Sequence, residues 1–551
     1  MANWIPSYLV LIGVIALGTI LRFWHLDLKP LWLDEVITAL FSLGRNYNDV
    51  PLEAMFSLER LDQIFSFNPT LSCPQIAHNL ATQSTHPPLF FCLMHKWVEI
   101  HLGGIRTQGL VWMRSLSALF GVSAIAAGYY LNRVAFSPAT GLMGAAMIAV
   151  SPFGVYLSQE ARHYTLAILL ITLALLGLIQ IQQDLFQQHQ LRFSVWTSWA
   201  IVNSIGLYVH YFFILAFIAQ VVTLFGLMYW QRHILPCKSW LTASLAVIGV
   251  VASFIPWCPM LLGHFNRSET NWLPQPQLIT PVYQTLASWV LMIVALPVEN
   301  QSLWIAVPSG LLMVFFAAWV TWHTVKGLKQ LWQTPKNHLS VLTLGSYNLC
   351  VLLEFFAVTY LLGKDITFVP RYHFVYYPSL VALIAASLVK NERLVKSGPK
   401  AAKQNFYLLF FTSSCLSCIL VVSNLVFQKP YNPQLVAQNM NQEPAVPLMV
   451  VVGYQGYQEV ALGLSFALAL EKIRSDAEFA FFKRSLGYEY VWQKLSQLQL
   501  PANQLNLWVV APELKRRDYP FQLKSTQNTC ILDSTQHYRI GIPYQLYQCG
   551  R

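Results

Sequence analysis

Long apolar runs, each closed by a short polar or basic stretch, recur along the chain from Tyr8 to Phe427. Runs of about 18 or more apolar residues are what a bilayer-spanning helix needs, and a globular core does not produce them so often. The pattern predicts about eleven spans of roughly 20 residues each. They centre on 8–23, 114–131, 141–157, 164–182, 195–211, 212–230, 240–262, 303–322, 339–362, 372–389 and 406–427. Two further stretches start as apolar runs and do not continue as spans. The stretch from Pro87 to Gly104 carries His95, Lys96, Glu99 and His101. A charge at the centre of a span costs about 2.5–3.5 kcal/mol on insertion scales, so this stretch is expected to lie flat at the interface. The stretch from Val282 to Pro297 is short, runs into Val298-Glu299-Asn300, and is read the same way.

Composition agrees with this reading. Of 551 residues, 55% are hydrophobic and only 11% charged, with a mean hydropathy of +0.46, whereas soluble domains carry about 25% charged residues. The formal net charge of +11, from 35 Lys+Arg against 24 Asp+Glu, would suit nucleic acid. The basic residues, however, gather in short loops between apolar runs, as in cytoplasmic loops, and no nucleic-acid partner is expected. With the amino terminus inside, the cytoplasmic loops carry Arg133, Arg192, Arg232 with Lys238, Lys326 with Lys329 and Lys336, and the group Lys390, Arg393, Lys396, Lys400 and Lys403. The short outer loops hold only Arg162, Arg267, Lys364 and Arg371. That asymmetry sets the expected orientation.

Two large pieces then lie outside: a first loop over 25–113, which carries the interfacial helix, and a tail over 428–551. The expected organisation is an α-helical polytopic membrane domain over 1–427 followed by a small extracytoplasmic α/β domain. The tail alternates strand-like Leu448–Val452, a helical stretch from Glu459 to Lys472, strand-like Glu478–Lys483, a helix near Tyr488, and strand-like Leu505–Val510. The first apolar run ends at Arg22-Phe23-Trp24 without a small-residue cleavage site and is expected to stay as a helix. Of nine cysteines, Cys415 and Cys418 fall inside an apolar run, where packing is the simpler reading. Cys530 and Cys549 could form a disulfide if the tail is extracytoplasmic.

Four polar clusters share the outer face in this threading. Asp34-Glu35 opens a helix directly after the first span. Acids suit a helix amino terminus, but a carboxylate at the membrane surface also suits a general base. His86-Pro87-Pro88 leads into the interfacial stretch; the prolines fit a helix start, and His86 could donate to a phosphate or help bind a metal. Ser158-Gln159-Glu160-Ala161-Arg162-His163-Tyr164 is a short turn between spans, and Arg162 carries a planar fork of donors that suits a phosphate. Pro370-Arg371-Tyr372 is either an interface anchor or a fourth part of the site. His210-Tyr211, between tightly joined spans, is read as packing. Carboxylates and arginines converging on one side from distant loops are what an anionic lipid substrate requires.

The order Asp-Glu after the first span, His-Pro-Pro, Glu-Ala-Arg-x-Tyr and a late Arg-Tyr resembles the membrane glycosyltransferases of the GT-C fold. The nearest resemblance is to the bacterial branch related to protein O-mannosyltransferases and the lipid A aminoarabinose transferase, over roughly the first 390 residues. The resemblance implies a polyprenyl-phosphate sugar donor, inversion, and a plasma-membrane enzyme whose site faces outward. It makes Asp34 the base with Glu35 as its neighbour. Arg162, Arg371, His86 and Lys96 become phosphate contacts, and Glu160, Tyr164 and Tyr372 complete the substrate site. A divalent metal stays open, because this turn places Glu160 beside Arg162 where the transferases carry an acidic metal-site candidate. The acceptor hydroxyl is left open among protein, glycan and lipid. The rival class is a transporter or flippase for a lipid or polysaccharide, for which Glu354, inside an apolar span, is the main support.

Overall fold

The computed structural model describes residues 5–101, 109–265, 267, 269, 272–394, 400–526 and 528–550. Along the chain, α1 (Ile5–Phe23) is followed by α2 (Leu33–Ser42), β1 (Met55–Ser57), α3 (Leu61–Ile64), α4 (Cys73–Gln83) and α5 (Leu89–His101). A long helical region comes next: α6 (Gly109–Ala135), α7 (Pro138–Ala149), α8 (Pro152–Ser158), α9 (Tyr164–Gln183), α10 (Phe193–Leu207) and α11 (Phe213–Trp230). It continues through α12 (Cys237–Phe254), α13 (Cys258–Phe265), α14 (Thr280–Leu291), α15 (Leu303–Trp332), α16 (Pro335–Leu361), α17 (Tyr377–Leu394) and α18 (Lys400–Val422). The remainder is α19 (Pro433–Met440), β2 (Leu448–Tyr454), α20 (Tyr457–Glu471), β3 (Glu478–Lys483), α21 (Tyr488–Ser496), β4 (Leu505–Val510), β5 (Gln522–Lys524), β6 (Thr529–Ile540) and β7 (Ile542–Cys549).

The chain divides into two compact units. One holds the chain up to Leu28, His86–Phe90 and Arg114–Gln428; the other holds Lys29–Thr85, Phe91–Met113 and the chain from Lys429 onward. Most of the first outer loop therefore belongs with the tail.

In the first unit, seven helical segments among the described residues are long and apolar enough to cross a membrane. The pair α7 and α8, bent by 58°, makes an eighth if it counts as one span. Each of the eleven predicted segments is helical over most of its length, but α1, α10 and α17 fall short of a full span by length or composition. The basic loop expected around Lys396 lies partly outside the described residues, which omit 395–399. The interfacial stretches appear as α5, of 13 residues, and α14, of 12.

The bend between α7 and α8 has a legible cause. Pro152 has no N–H to continue α7 and disfavours helical geometry at Ser151, whose side chain instead caps α8 by accepting from the Gly154 N–H at 3.2 Å. The break frees carbonyls in an apolar interior, where each needs a donor. Arg22, 1% exposed, donates to Ala149 O at 2.9 Å and Ile148 O at 2.8 Å, while the Cys418 thiol donates to Val150 O at 3.1 Å. The non-helical stretch after α14 is satisfied in the same way. Ser151 and Ser414 donate to Met292 O and Ile293 O, and the Ala295 N–H donates to Ser417. Cys415 and Cys418 are both unbonded thiols.

The second unit is built on a seven-stranded sheet in the order β1-β3-β2-β4-β7-β6-β5. β2 lies between β3 and β4 and is parallel to both. β2 and β4 are buried at every position, as a sheet covered on both faces requires, and their near-continuous apolar sequence reflects this. β4, β7, β6 and β5 add antiparallel pairs. At the opposite edge β1, from the first loop, pairs antiparallel with β3 in the register Met55–Ala480, Phe56–Phe479, Ser57–Glu478. Cys530 and Cys549 are bonded to each other, and so are Cys73 and Cys92.

Candidate functional site

In the first unit, four polar turns meet at the ends of helices. α8 stops at Ser158, and the turn 159–163 leads into α9 at Tyr164. Glu160, Arg162, His163 and Tyr164 are each only 2% exposed. The turn is pinned from α6: Ser117 Oγ donates to Arg162 O at 2.9 Å, and Thr165 Oγ1 donates to Ser117 O at 2.8 Å. The Arg162 N–H closes the turn onto Glu160 O at 2.7 Å.

The Arg162 guanidinium donates from Nη2 to Nε2 of His86 at 2.8 Å. Its Cζ also stands 5.9 Å from the Tyr164 ring centroid, and the Tyr164 hydroxyl accepts from Arg371 Nε at 3.0 Å. Arg371 in turn lies over Tyr372, whose ring meets Phe212 edge-on at 4.7 Å. His86, Arg162, Tyr164, Arg371 and Tyr372 are thus brought into one cluster, with Glu160 in the same turn.

Two histidines complete the cluster. His163 lies 5.5 Å from His86 and 4.5 Å from His210, measured between ring centroids. His210, in the turn between α10 and α11, also packs at a tilt against the rings of Tyr164 and Phe374. His210 was expected to pack, and it does so against the candidate site itself; His163 carried no signal beyond its place beside Arg162. Burial holds the pKa of all three imidazoles well below the usual histidine value. Arg162 and Arg371 push the same way, as do other histidines: His264 on His86, His210 and His86 on His163, and His86 on His210. His373, on the following turn, is fully enclosed; burial pushes it down to about 4. Its Nε2 lies 3.0 Å from Thr367 O. Asp365 serves the same turn by accepting from the Thr367 N–H and hydroxyl.

The cluster therefore presents two permanent cations among neutral rings that retain one N–H each, in a setting of low polarity. Such a setting favours an anion with several acceptor oxygens. Among the described residues, no group of three or more His, Cys, Asp or Glu could hold a metal ion, so no step is assigned to one.

Asp34, Glu35 and Lys96 belong to the second unit. Asp34 and Glu35 stand in the first turn of α2, which has Trp32 at its N-cap and no side-chain cap bond. Glu35 is fully buried, whereas Asp34 is partly exposed. Lys429 Nζ, which the sequence did not single out, lies 3.8 Å from the centroid of the Trp32 ring. Lys96 is exposed on α5 and pairs with Glu99 at 2.6 Å.

The fold is that of known GT-C proteins. The chain superposes on ArnT, the lipid A aminoarabinose transferase, from Cupriavidus metallidurans in the apo state with a TM-score of 0.54, at 10% identity over 91% of this chain and 92% of that one. The same transferase bound to undecaprenyl phosphate gives 0.49 at 10% identity, covering 93% of both chains. The Archaeoglobus fulgidus oligosaccharyltransferase in complex with Zn and sulfate gives 0.46 at 12% identity, over 91% of this chain and 68% of that one. The sequence matches no protein-family model and no curated protein.

Proposed function

We propose that the protein is a membrane glycosyltransferase. It takes a hexosyl or pentosyl group from a polyprenyl-phosphate carrier at the outer face of a bacterial plasma membrane and passes it to an acceptor hydroxyl with inversion. The observation that carries this reading is the Arg162–His86–Tyr164–Arg371 cluster, in a chain with the fold of ArnT. In this reading the amino terminus is inside and the chain crosses eleven times, with α1, α10 and α17 as short spans, so that the cluster belongs to the outer surface.

In this mechanism Asp34 accepts the proton of the acceptor hydroxyl as its oxygen attacks the anomeric carbon. The bond from that carbon to the phosphate oxygen breaks, and the polyprenyl phosphate leaves with its charge held by Arg162 and Arg371. The transition state is oxocarbenium-like, as in other glycosyl transfers. Removing one preorganised donor from such a site costs about 10²–10³ in turnover. His86 contributes by staying neutral: its Nε2 lone pair receives the Arg162 fork and fixes its plane.

The test uses the purified full chain with a synthetic polyprenyl-phosphate sugar labelled in both the sugar and the lipid. Transfer releases one polyprenyl phosphate for each sugar moved to an acceptor. Passage of the intact doubly labelled lipid across a reconstituted bilayer, with the glycosyl bond unbroken, would instead make the protein a flippase.

A further inference from the structure

The helix that carries Asp34 is built into the tail's domain. We infer that the α/β tail is a positioning domain for α2, and that Tyr457 is the residue through which it acts. This inference rests on the proposed role of Asp34.

Eight of the ten α2 residues, Glu35 through Ser42, are buried, while Leu33 and Asp34 are only partly covered. The helix is thus gripped along its length and open at its acid-bearing start. Its long contact is with α20, the helix that connects the parallel strands β2 and β3. Beyond this, a line of rings runs from tail to helix. Tyr457, in the first turn of α20, stacks on Tyr47 at 4.3 Å with the rings 5° from parallel. Tyr47 meets Phe41 of α2 edge-on at 5.8 Å. Both Tyr47 and Phe41 are 1% exposed, so Tyr457 has no soft neighbour between itself and α2.

The other attachments converge on the same helix. Lys429, at the tail's start, lies over Trp32, the N-cap of α2. His95 of α5 caps the opposite end, with Nδ1 at 2.9 Å from Ser42 O. The Cys73–Cys92 disulfide fastens α5 to α4, which also packs on α2. The loop between α2 and α3 is stitched to the sheet through the β1–β3 pairing, and the Glu53 carboxylate accepts from the Lys483 N–H at 2.7 Å. A ten-residue helix is marginal alone, because helices this short depend on tertiary packing. The tail supplies that packing. Small misplacements of a catalytic group cost up to about 10²-fold, so the domain's rigidity is transmitted to the reaction.

The experiment compares wild type, Tyr457→Ala and Tyr457→Phe as full chains in detergent, reading steady-state transfer together with amide exchange. Tyr457→Ala should lower kcat by about ten- to a hundredfold. The KM values for donor and acceptor should stay within about twofold, as expected when only the transition-state geometry is lost. Exchange should speed up over 33–42 and not in the membrane helices. Tyr457→Phe keeps the stacked ring and should restore both. If Tyr457→Ala does not fold, Tyr457→Leu takes its place with the same expectations at smaller size. A rise in acceptor KM with kcat intact would make the tail an acceptor-binding domain and overturn the inference, as would unchanged exchange over 33–42. Asp34→Asn separates the two readings. If it transfers normally, the base assignment falls while the exchange result still reports on the tail. If it is inactive and a loosened α2 keeps full kcat, the positioning inference alone falls.

Discussion

The guanidinium of Arg162 donates to Nε2 of His86 at 2.8 Å, across 76 residues of sequence. An arginine can only donate, so His86 must be the acceptor at that nitrogen and must be neutral. Burial and the nearby cations enforce this by lowering its pKa. In the sequence His86 was expected to contact the phosphate itself; in the proposed mechanism it orients the fork of the cation assigned to the leaving phosphate.

Arg162→Lys tests that assignment. Lysine keeps the charge and loses the planar fork, and the loss of one bidentate charged contact costs about 1.5–3 kcal/mol. The expected outcome is a fall of about ten- to a hundredfold in kcat/KM for the lipid-linked donor, with folding intact. His86→Phe should lower the same quantity in the same direction. Equal turnover by Lys, Ala and wild type would reduce Arg162 to a membrane anchor.

Asp34→Asn separates a base from a helix-start acid. Asparagine preserves the shape and caps a helix about as well. If Asp34 is the base, turnover should drop by about 10²–10⁴-fold with donor binding retained. Glu35→Gln is the companion, and its loss should be smaller. Near-normal transfer by purified Asp34→Asn would end the catalytic assignment.

Acid should destabilise the protein. His86, His163 and His210 are held well below the ordinary histidine value by burial, and His373 is down to about 4. The unfolded chain, with histidines near 6.5, then binds more protons than the folded one below that pH. Stability is fully present above about pH 6.5 and is lost as the pH falls from there towards the lowered values. Melting temperatures in detergent should therefore decline between pH 7.5 and 5.0, and His163→Gln with His210→Gln should flatten the decline. A flat wild-type profile would mean that these rings are not excluded from water.

The bend between α7 and α8 depends on a charge in α1. Arg22→Met strips the guanidinium from Ala149 O and leaves Ile148 O only the long 3.5 Å bond from the Ser151 N–H, at about 1–3 kcal/mol for a buried group that loses its donor. Thermal stability should fall, and Arg22→Lys should recover part of it, since an ammonium reaches fewer carbonyls at once. An unchanged melting temperature for Arg22→Met would show that water or relaxation replaces the guanidinium.

The orientation is checked with a reporter that is active only outside the cytoplasm. Fused after Gln428 it should work, and fused after Lys396 it should not. The reverse result would put the proposed site on the wrong side for its donor.

Much of this protein is determined locally. A bilayer demands long apolar helices, so the eleven helical segments were legible from hydropathy. The break at Pro152 also has a local cause, although 141–157 read as one unbroken run. β3 and β4 match their predicted bounds because buried parallel strands read as apolar runs with abrupt ends. The turn from Ser158 to Tyr164 was equally plain. Tertiary structure decided whatever rests on distant partners. Arg22 looks like the basic end of a span until its carbonyl acceptors, 126 and 127 residues away, are in view. β1 has three residues, too few for any alternation to register, and only pairing with β3 makes it a strand. His163 and His210 have no common motif; two separate helix junctions bring their rings to 4.5 Å. Cys73 and Cys92 find each other because α4 and α5 fold back together. Periodicity records what each segment buries, whereas the pairing of segments arises from packing that no single segment encodes.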